Sequence, residues 1–276
     1  MTSGKKTENS VGETIKVVIH ALLIALVIRT FLFQPFNIPS GSMKGTLLVG
    51  DYLFVSKFSY GYSRFSMPFS PPLFSGRIWG ADPSRGDVVV FRFPKHDDDP
   101  CAKYADNDDR CPKHDNDDYI KRVIGLPGER IQMQRGVLYI NDEPVKRERM
   151  DDFVGEDPCG PEGIRPVPIR KVPRWKETLP NGVSYETLQC DELGFYNNTN
   201  VYTVPPGHFF MMGDNRDNSS DSRVDPSRGG VGYVPKENLI GRAQVIFFSV
   251  LQGESAWRVW EWPWTVRWNR LFKIVR

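Results

Sequence analysis

The sequence predicts a mostly β protein that follows a single N-terminal transmembrane helix. One apolar stretch near the N-terminus is long enough to cross a bilayer. The remainder consists of short β-rich runs bounded by glycine, proline and aspartate, and helical periodicity is scarce after residue 35. The 276 residues, with 22 prolines and 24 glycines, allow a sizeable core with many turns. The expected body is an open barrel or sandwich of sheets with inserted loops and a smaller second subdomain.

Residues 14–33, TIKVVIHALLIALVIRTFLF, are predicted to be the membrane anchor. A helix needs about 20 apolar residues to span the hydrocarbon layer. Lys16 and Arg29 lie near the ends, where long side chains reach the headgroups. A cleaved signal peptide and a buried helix of a soluble protein are the alternatives, and Pro39 with the Phe-rich segment before it fits a cleavage site poorly.

The basic flank predicts the orientation of the anchor. Residues 1–13 carry Lys5 and Lys6, and short basic flanks stay on the cytoplasmic side. Residues 34–276 are therefore expected on the outer side of the membrane, although Lys44 and Lys57 weaken the charge asymmetry. The net charge of +2 and the lack of a basic stripe argue against a nucleic-acid partner.

Six runs with strand patterns organise the outer body. They are Asp51–Val55, Gly86–Phe93, Tyr119–Ile124, Gly136–Ile140, His208–Met212 and Ala243–Val250. Two segments interrupt them. Residues 94–118 form an acidic loop with nine aspartates, which lacks the glycine and glutamate of an EF-hand. Residues 142–200, rich in proline and charge, are expected to form the smaller subdomain.

The four cysteines, Cys101, Cys111, Cys159 and Cys190, are disulfide candidates. None belongs to a CxxC pair, which argues against a zinc site. Pairing of Cys101 with Cys111 and of Cys159 with Cys190 closes the shortest loops and fits an oxidising compartment. Free thiols are the alternative, because spacing alone does not fix connectivity.

Residues 257–276 form a tail with five of the seven tryptophans. On a helix, Trp264 and Trp268 would share one face with Leu271 and Phe272, with basic residues largely opposite. Indole rings beside basic groups favour the headgroup layer, so contact with the membrane is predicted. An aromatic ridge packed on the β body is the alternative.

Two separated segments offer a serine hydroxyl and a lysine amine. Ser42 lies in PSGSM just after the anchor, and Lys121 lies among apolar neighbours in YIKRVIG. A neutral lysine can take the proton of a serine, so this pair supports acyl transfer without histidine. The ordinary lysine pKa of ~10.4 leaves few neutral amines at pH 7, and burial favours the neutral form. A third segment, residues 212–223, is dense in polar groups that could brace such a site.

These segments resemble the signature boxes of bacterial type I signal peptidases. The boxes are Ser40–Met43, Arg85–Phe91, Tyr119–Arg122 and Gly213–Arg223, and they occur in the family's order. The resemblance implies a membrane-bound serine endopeptidase that cleaves signal peptides from exported preproteins after a small-x-small motif. It implies no metal and no organic cofactor. The implied location is the bacterial inner membrane, crossed once, with preproteins, the bilayer and the secretion translocon as candidate partners.

The resemblance also implies a role for individual residues. Ser42 matches the nucleophile and Lys121 the general base. Ser40 and the Ser42 backbone N–H match the oxyanion hole, where each donor contributes about 3 kcal/mol. The implied supporting residues are Ser219, Asp221 and Arg223. The implied lining of the pockets for small substrate side chains is Phe36, Ile38, Leu47 and Ile120.

One position departs from the family pattern, and two other functions remain open. Gly45 stands where the family commonly has proline, which leaves the rigidity of the turn after Ser42 as a question. A specialised Ser/Lys peptidase with one dedicated substrate is the enzyme alternative. A non-enzymatic anchored β-domain that binds partners is the other, and it predicts that Ser42 and Lys121 can be replaced freely.

Overall fold

The computed structural model describes residues 8–68, 70–72, 74–94, 117–160, 168–191 and 193–276. Within these ranges a long N-terminal helix leads into a body of four antiparallel sheets. The prediction of a mostly β protein with one N-terminal helix is confirmed.

The N-terminal helix is not buried against the body from Gly12 onward. Helix α1 spans Glu8–Val27 and continues as a wider helical turn over Ile28–Leu32. Residues Gly12–Leu32 have a mean hydropathy of 2.2 and are not buried against the body. Their length and composition suit a membrane span. The predicted end at Phe33 is one residue too late, because Phe33 begins a strand and pairs with Ser56.

The body contains seventeen strands among the described residues. They are β1 Phe33–Asn37, β2 Asp51–Ser56, β3 Val88–Arg92, β4 Asp118–Gly125, β5 Arg130–Gln134, β6 Val137–Ile140, β7 Glu143–Pro144, β8 Lys146–Arg149, β9 Phe153–Glu156, β10 Ile169–Val172, β11 Arg174–Thr178, β12 Ser184–Leu188, β13 Tyr202–Thr203, β14 His208–Met212, β15 Val234–Pro235, β16 Leu239–Ser249 and β17 Lys273–Ile274. Short helices occupy Phe58–Tyr60, Arg64–Ser66, Phe195–Asn197, Pro226–Arg228, Lys236–Asn238, Val259–Glu261, Trp262–Thr265 and Trp268–Arg270.

The largest sheet holds five of the six predicted strands. Its order is β1-β2-β16-β3-β4-β14-β15, and β17 pairs with β16. Its central strands are apolar on both faces. Val123 packs with Phe209 and Met211, whereas its neighbour Ile124 packs with Ile131 in a second core cluster. Because successive side chains point to opposite faces, β4 divides two cores and fixes its side chains firmly.

Two predicted strand limits differ from the structure by more than one residue. Strand β16 starts at Leu239, four residues before the predicted Ala243, because an irregularity in its register between Leu239 and Gly241 disturbs the alternation. The predicted start at Gly86 is also too early. Gly86 has a φ of 93°, which an extended strand does not allow.

The segment 142–200 contributes to the three smaller sheets. Strand β7 joins the sheet β13-β5-β6-β7, strands β12-β11-β8 form a second, and β9 pairs with β10 in a two-stranded ribbon. A disulfide joins Cys159, just after β9, to Cys190, just after β12. Cys101, Cys111 and all but the ends of the acidic loop lie outside the described residues.

The C-terminal tail is not one helix, so the helical face considered for Trp264 and Trp268 does not form. The guanidinium of Arg270 forms an ion pair of 2.5 Å with Asp51 of β2. Arg267 donates a hydrogen bond of 2.9 Å to the carbonyl of Val49. These two basic groups are held against the body and break the tail into short turns. The exposed tryptophans of the tail are Trp257, Trp260, Trp264 and Trp268.

Candidate active site

Ser42 lies in a tight turn between β1 and β2. The N–H of Lys44 donates to the carbonyl of Gly41 at 3.0 Å, and the N–H of Leu47 donates to the carbonyl of Met43 at 2.9 Å. The side chains of Met43 and Leu47 are fully buried in the core beneath. Two buried apolar groups therefore hold the turn in place and leave Ser42 at the rim of a cleft.

Lys121 reaches Ser42 from the middle of β4. Its Nζ lies 2.8 Å from the Ser42 Oγ, although 79 residues separate them in the sequence. The amine also donates to the carbonyl of Ile120 at 3.1 Å, and it lies 5.3 Å from the centre of the Tyr119 ring. Lys121 is only 3% exposed. The structure thus brings the two sequence-predicted groups into direct hydrogen-bond contact.

The cleft beside this pair has a volume of about 490 Å³. Three of the four predicted lining residues, Phe36, Ile38 and Ile120, form its walls. Leu47 does not line it, because the turn directs its side chain into the core, where it is fully buried. Val90, which pairs with Ile120 across β3 and β4, is a further wall residue. Sequence alternation placed Val90 in a strand but not on this cleft.

Ser40 belongs to the same cleft as Ser42. The two hydroxyl oxygens are 3.3 Å apart. Both serines line the cleft, and Ser42 is 7% exposed. The hydroxyl of Ser40 can therefore act as a donor close to the carbon that Ser42 would attack.

The loop of residues 213–223 packs directly behind Ser42. The backbone of Gly213 is so close that a Cβ there would lie 2.6 Å from the Ser42 carbonyl oxygen and 2.3 Å from the Ser219 hydroxyl. The Ser219 hydroxyl is buried, and within the described part of the chain it forms no hydrogen bond. The structure therefore places Ser219 next to the site but not in the predicted hydrogen bond with the lysine.

Asp221 and Arg223 form a buried ion pair that stabilises this loop. Two hydrogen bonds of 2.9 and 2.8 Å join the guanidinium to the carboxylate. Asp221 also accepts from the N–H of Gly213 at 3.0 Å, and Arg223 donates to the carbonyl of Arg216 at 2.6 Å. Burial alone would raise the pKa of Asp221, but the Arg223 charge and two backbone N–H donors hold that pKa below its usual value.

A second buried ion pair connects the lysine strand to the serine turn. Arg122 follows Lys121 and points to the opposite face of β4, where it donates to Asp214 at 2.8 and 2.7 Å. Asp214 accepts from the hydroxyl of Thr46 at 2.6 Å. The sequence motifs include Arg122 and Asp214, but the sequence analysis gave them no role, because their contact is evident only in the folded protein. A buried arginine needs a counter-charge, and that requirement is the signal that points to Asp214.

The structure answers the question about Gly45. Its φ is 123°, which proline cannot adopt, and a Cβ there would lie 2.8 Å from the carbonyl oxygen of Glu186. In this chain the turn is made rigid by its hydrogen bonds and by the contact of Thr46 with Asp214. Among the described residues, no group of three or more His, Cys, Asp or Glu side chains is arranged to hold a metal.

Known proteins are similar to this chain over most of its length. A family model described as signal peptidase, peptidase S26, matches residues 11–248. The signal peptidase I of Rickettsia typhi is 39% identical over 288 residues, with 97% of this chain and 95% of that protein covered. The signal peptidase I of Rickettsia conorii is 40% identical, with coverages of 91% and 88%. A solved signal peptidase I from Enterococcus faecalis V583 is 21% identical with a TM-score of 0.29, covering 59% of this chain and 97% of that one.

Proposed function

The chain belongs to the signal peptidase I family, and on that premise we propose that Ser42 is its nucleophile and Lys121 its general base. The family membership makes it a membrane-anchored serine endopeptidase that removes signal peptides from preproteins. The observation that carries the residue assignment is the hydrogen bond of 2.8 Å between the Lys121 Nζ and the Ser42 Oγ. That distance allows direct proton transfer.

The reaction needs only these two side chains for its proton transfers. The Ser42 Oγ forms a bond to the scissile carbonyl carbon while its proton passes to the neutral Lys121 amine. When the tetrahedral intermediate collapses, the C–N bond breaks and the lysine returns the proton to the leaving amine. A water molecule then gives a proton to Lys121 and attacks the ester carbonyl carbon. When the C–O bond to Ser42 breaks, Lys121 passes that proton to the Ser42 Oγ, which restores both groups, and the released carboxylic acid ionises in solution.

The oxyanion would be stabilised by the Ser42 N–H and the Ser40 hydroxyl. The distance of 3.3 Å between the two serine hydroxyls supports this role, because both groups then face the same carbonyl. Removal of a single oxyanion donor lowers kcat by about 10²–10³-fold in a well-studied serine peptidase.

The proposed substrate conformation is an extended strand along β4. Strand β14 pairs with β4 at Arg122, Val123 and Gly125, whereas residues 118–121 line the cleft. An extended peptide can add to a strand at such an edge and place alternate side chains in pockets. The apolar walls given by Phe36, Ile38, Val90 and Ile120 then favour small side chains near the scissile bond.

The bilayer is the proposed partner of an aromatic surface that leads from the anchor to the tail. Phe33 contacts Phe54, Phe54 stacks on Phe247 at 4.3 Å between ring centres, and Phe248 contacts Trp262. We define this aromatic surface by Phe33, Phe54, Phe247, Phe248 and Trp262, together with the exposed tail tryptophans. Aromatic side chains prefer the membrane interface. An active site held at the interface would meet membrane-bound preproteins at a higher effective concentration than in solution.

The proposed topology places residues 1–13 in the cytoplasm and the catalytic body on the outer side of the inner membrane. The basic residues before the anchor and the disulfide between Cys159 and Cys190 support it. The secretion translocon is a proposed partner because it delivers preproteins to that side of the membrane.

The function can be tested with purified full-length protein and one preprotein in detergent. Mass spectrometry of the product should locate a single cut after a small-x-small motif. A large aromatic at either small position should abolish cleavage, while the same change at the intervening position should be tolerated. Equal cleavage of the three preprotein variants would contradict the proposed pockets. If the unmodified preprotein is not cleaved either, a non-enzymatic binding protein is favoured.

A further inference from the structure

We propose that Asn215 is a positioning residue that orients the Ser42 N–H toward the oxyanion, and that the disulfide between Cys159 and Cys190 holds Asn215 in place. The inference rests on the proposed function, because it concerns the oxyanion hole of the same site. It assigns to this disulfide a role in the chemical step.

Asn215 holds both ends of the Ser42 backbone. Its own N–H donates to the carbonyl of Ser42 at 3.0 Å, and its side-chain Nδ2 donates to the carbonyl of Gly41 at 3.0 Å. The Gly41 carbonyl and the Ser42 N–H belong to one planar peptide unit and point in opposite directions. A hydrogen bond that fixes the carbonyl therefore also fixes the direction of the N–H.

The disulfide in turn holds the side chain of Asn215. The second hydrogen of its Nδ2 is donated to the carbonyl of Pro158 at 2.7 Å, and Pro158 immediately precedes Cys159. On the other side, the Cys190 sulfur lies 3.8 Å from the Asn215 Oδ1. Both acceptors of the amide nitrogen are carbonyl oxygens, so the orientation of the amide is determined.

The covalent link restrains Pro158, whose carbonyl also accepts from the Asn218 side chain at 2.9 Å. Pro158 follows β9, and the ribbon of β9 and β10 pairs with no strand of the other sheets within the described residues. The disulfide ties the end of that ribbon to β12, whose last residue Leu188 pairs with Asn215. Without the link, the Pro158 carbonyl loses its covalent restraint and Asn215 loses a fixed acceptor.

Asn215 is fully buried, and the disulfide bridges residues outside the cleft walls. Loss of either is therefore expected to impair transition-state stabilisation and leave substrate binding intact. This pattern differs from a loss of folding, which would lower the amount of active enzyme without changing its affinity for any ligand.

The test measures kcat and KM for a soluble cleavage-site peptide and the inhibition constant of a matching peptide aldehyde. The aldehyde carbonyl becomes a tetrahedral oxyanion when the Ser42 Oγ adds to it, so its affinity reports on the oxyanion hole. For Asn215→Ala, kcat should fall and the inhibition constant should rise, each about tenfold or more, with KM changed less than about twofold. Asn238→Ala is the control, because Asn238 is also buried and donates to a backbone carbonyl, that of Arg92, at 3.0 Å.

The double variant Cys159→Ser/Cys190→Ser tests the disulfide with Asn215 retained. It should raise the inhibition constant by at least about threefold, and the effect should largely vanish in the Asn215→Ala background, because coupled residues are non-additive. An unchanged inhibition constant in the cysteine variant overturns the inference even if Asn215→Ala fails to fold. A fully multiplicative combination overturns it as well. Cleavage by folded Ser42→Ala would instead overturn the proposed function itself.

Discussion

Arg122 and Asp214 form a fully buried, bidentate ion pair on the face of β4 opposite to Lys121. The guanidinium and carboxylate are joined by hydrogen bonds of 2.8 and 2.7 Å, and neither side chain is more than 1% exposed. The pair links β4, which carries Lys121, to the loop behind Ser42. Removal of one partner leaves the other as an uncompensated buried charge.

Asp214→Ala is therefore expected to lower the free energy of unfolding by about 3–5 kcal/mol. Urea unfolding followed by circular dichroism measures this change. Glu148→Ala is the control, because Glu148 forms an exposed ion pair with Lys146 on the regular strand β8, and exposed pairs contribute little to stability. Equal losses in the two variants would show that burial does not determine the contribution of Arg122 and Asp214.

Gly45→Ala should destabilise the turn that carries Ser42. Its positive φ disfavours any side chain, and a Cβ would lie only 2.8 Å from the Glu186 carbonyl oxygen. Gly128→Ala is the matched control, since Gly128 also has a positive φ but no atom lies within 4 Å of a Cβ. Thermal unfolding should show a loss of about 1–2 kcal/mol for Gly128→Ala and a clearly larger one for Gly45→Ala. Similar losses would mean that the Glu186 contact is easily relieved.

Cleavage should rise with pH, because Lys121 must lose its proton before it can accept that of Ser42. Lys121 is almost fully buried, and burial disfavours the charged amine. The rising limb of kcat/KM is thus expected well below ~10.4, the value for a free lysine. A limb close to that value would require a different base.

A second buried lysine serves as the control for this profile. Burial, and then the charge of Arg29, lowers the pKa of Lys57 to about 8. Lys57 does not line the cleft. The variant Lys57→Met should therefore keep the rising limb of kcat/KM. If the limb disappears in this variant, it reports on Lys57 and not on Lys121.

The exposed tail tryptophans should bind the catalytic body to membranes. A protein lacking residues 1–34 is expected to co-sediment with vesicles, and Trp264→Ala/Trp268→Ala should weaken that binding, since each ring buries apolar area at the interface. Phe195→Ala is the control, because Phe195 is 76% exposed but lies outside the aromatic surface. If the tryptophan variant binds vesicles as the parent does, the tail is a packing element only.

The truncated parent protein must itself remain folded for this comparison, which circular dichroism can verify. Anionic lipid is expected to strengthen this binding, because Arg258, Lys273 and Arg276 of the tail are exposed, although Arg267 and Arg270 are held by the body. Equal binding to neutral and anionic vesicles would indicate that these exposed basic groups do not contact the headgroups.

The sequence predicted the parts of the fold that depend on local pattern. Strands β2, β3, β4 and β14 were evident because their apolar side chains follow one another or alternate within a few residues. The tail was not, since the ion pair of Arg270 with Asp51 is a contact between distant segments that overrides helical periodicity. The same limit applies to Arg122 and Asp214.

The candidate site was predicted to a similar extent. Ser42 and Lys121 were identified from motifs, and the structure places them in contact. The positions of Leu47 and Ser219 were not, because the direction of a side chain in a turn depends on packing around it. The role of Asn215 was also inaccessible, since it requires the meeting of three segments.

The most direct test of the account compares preprotein cleavage by Ser42→Ala, by Lys121→Ala and by the double variant, each shown by circular dichroism to be folded. The two groups act as one unit in the proton transfer, so each single variant should lose nearly all activity and the double variant should be scarcely worse. Substantial cleavage by either folded single variant would contradict the assignment of Ser42 and Lys121 as nucleophile and base.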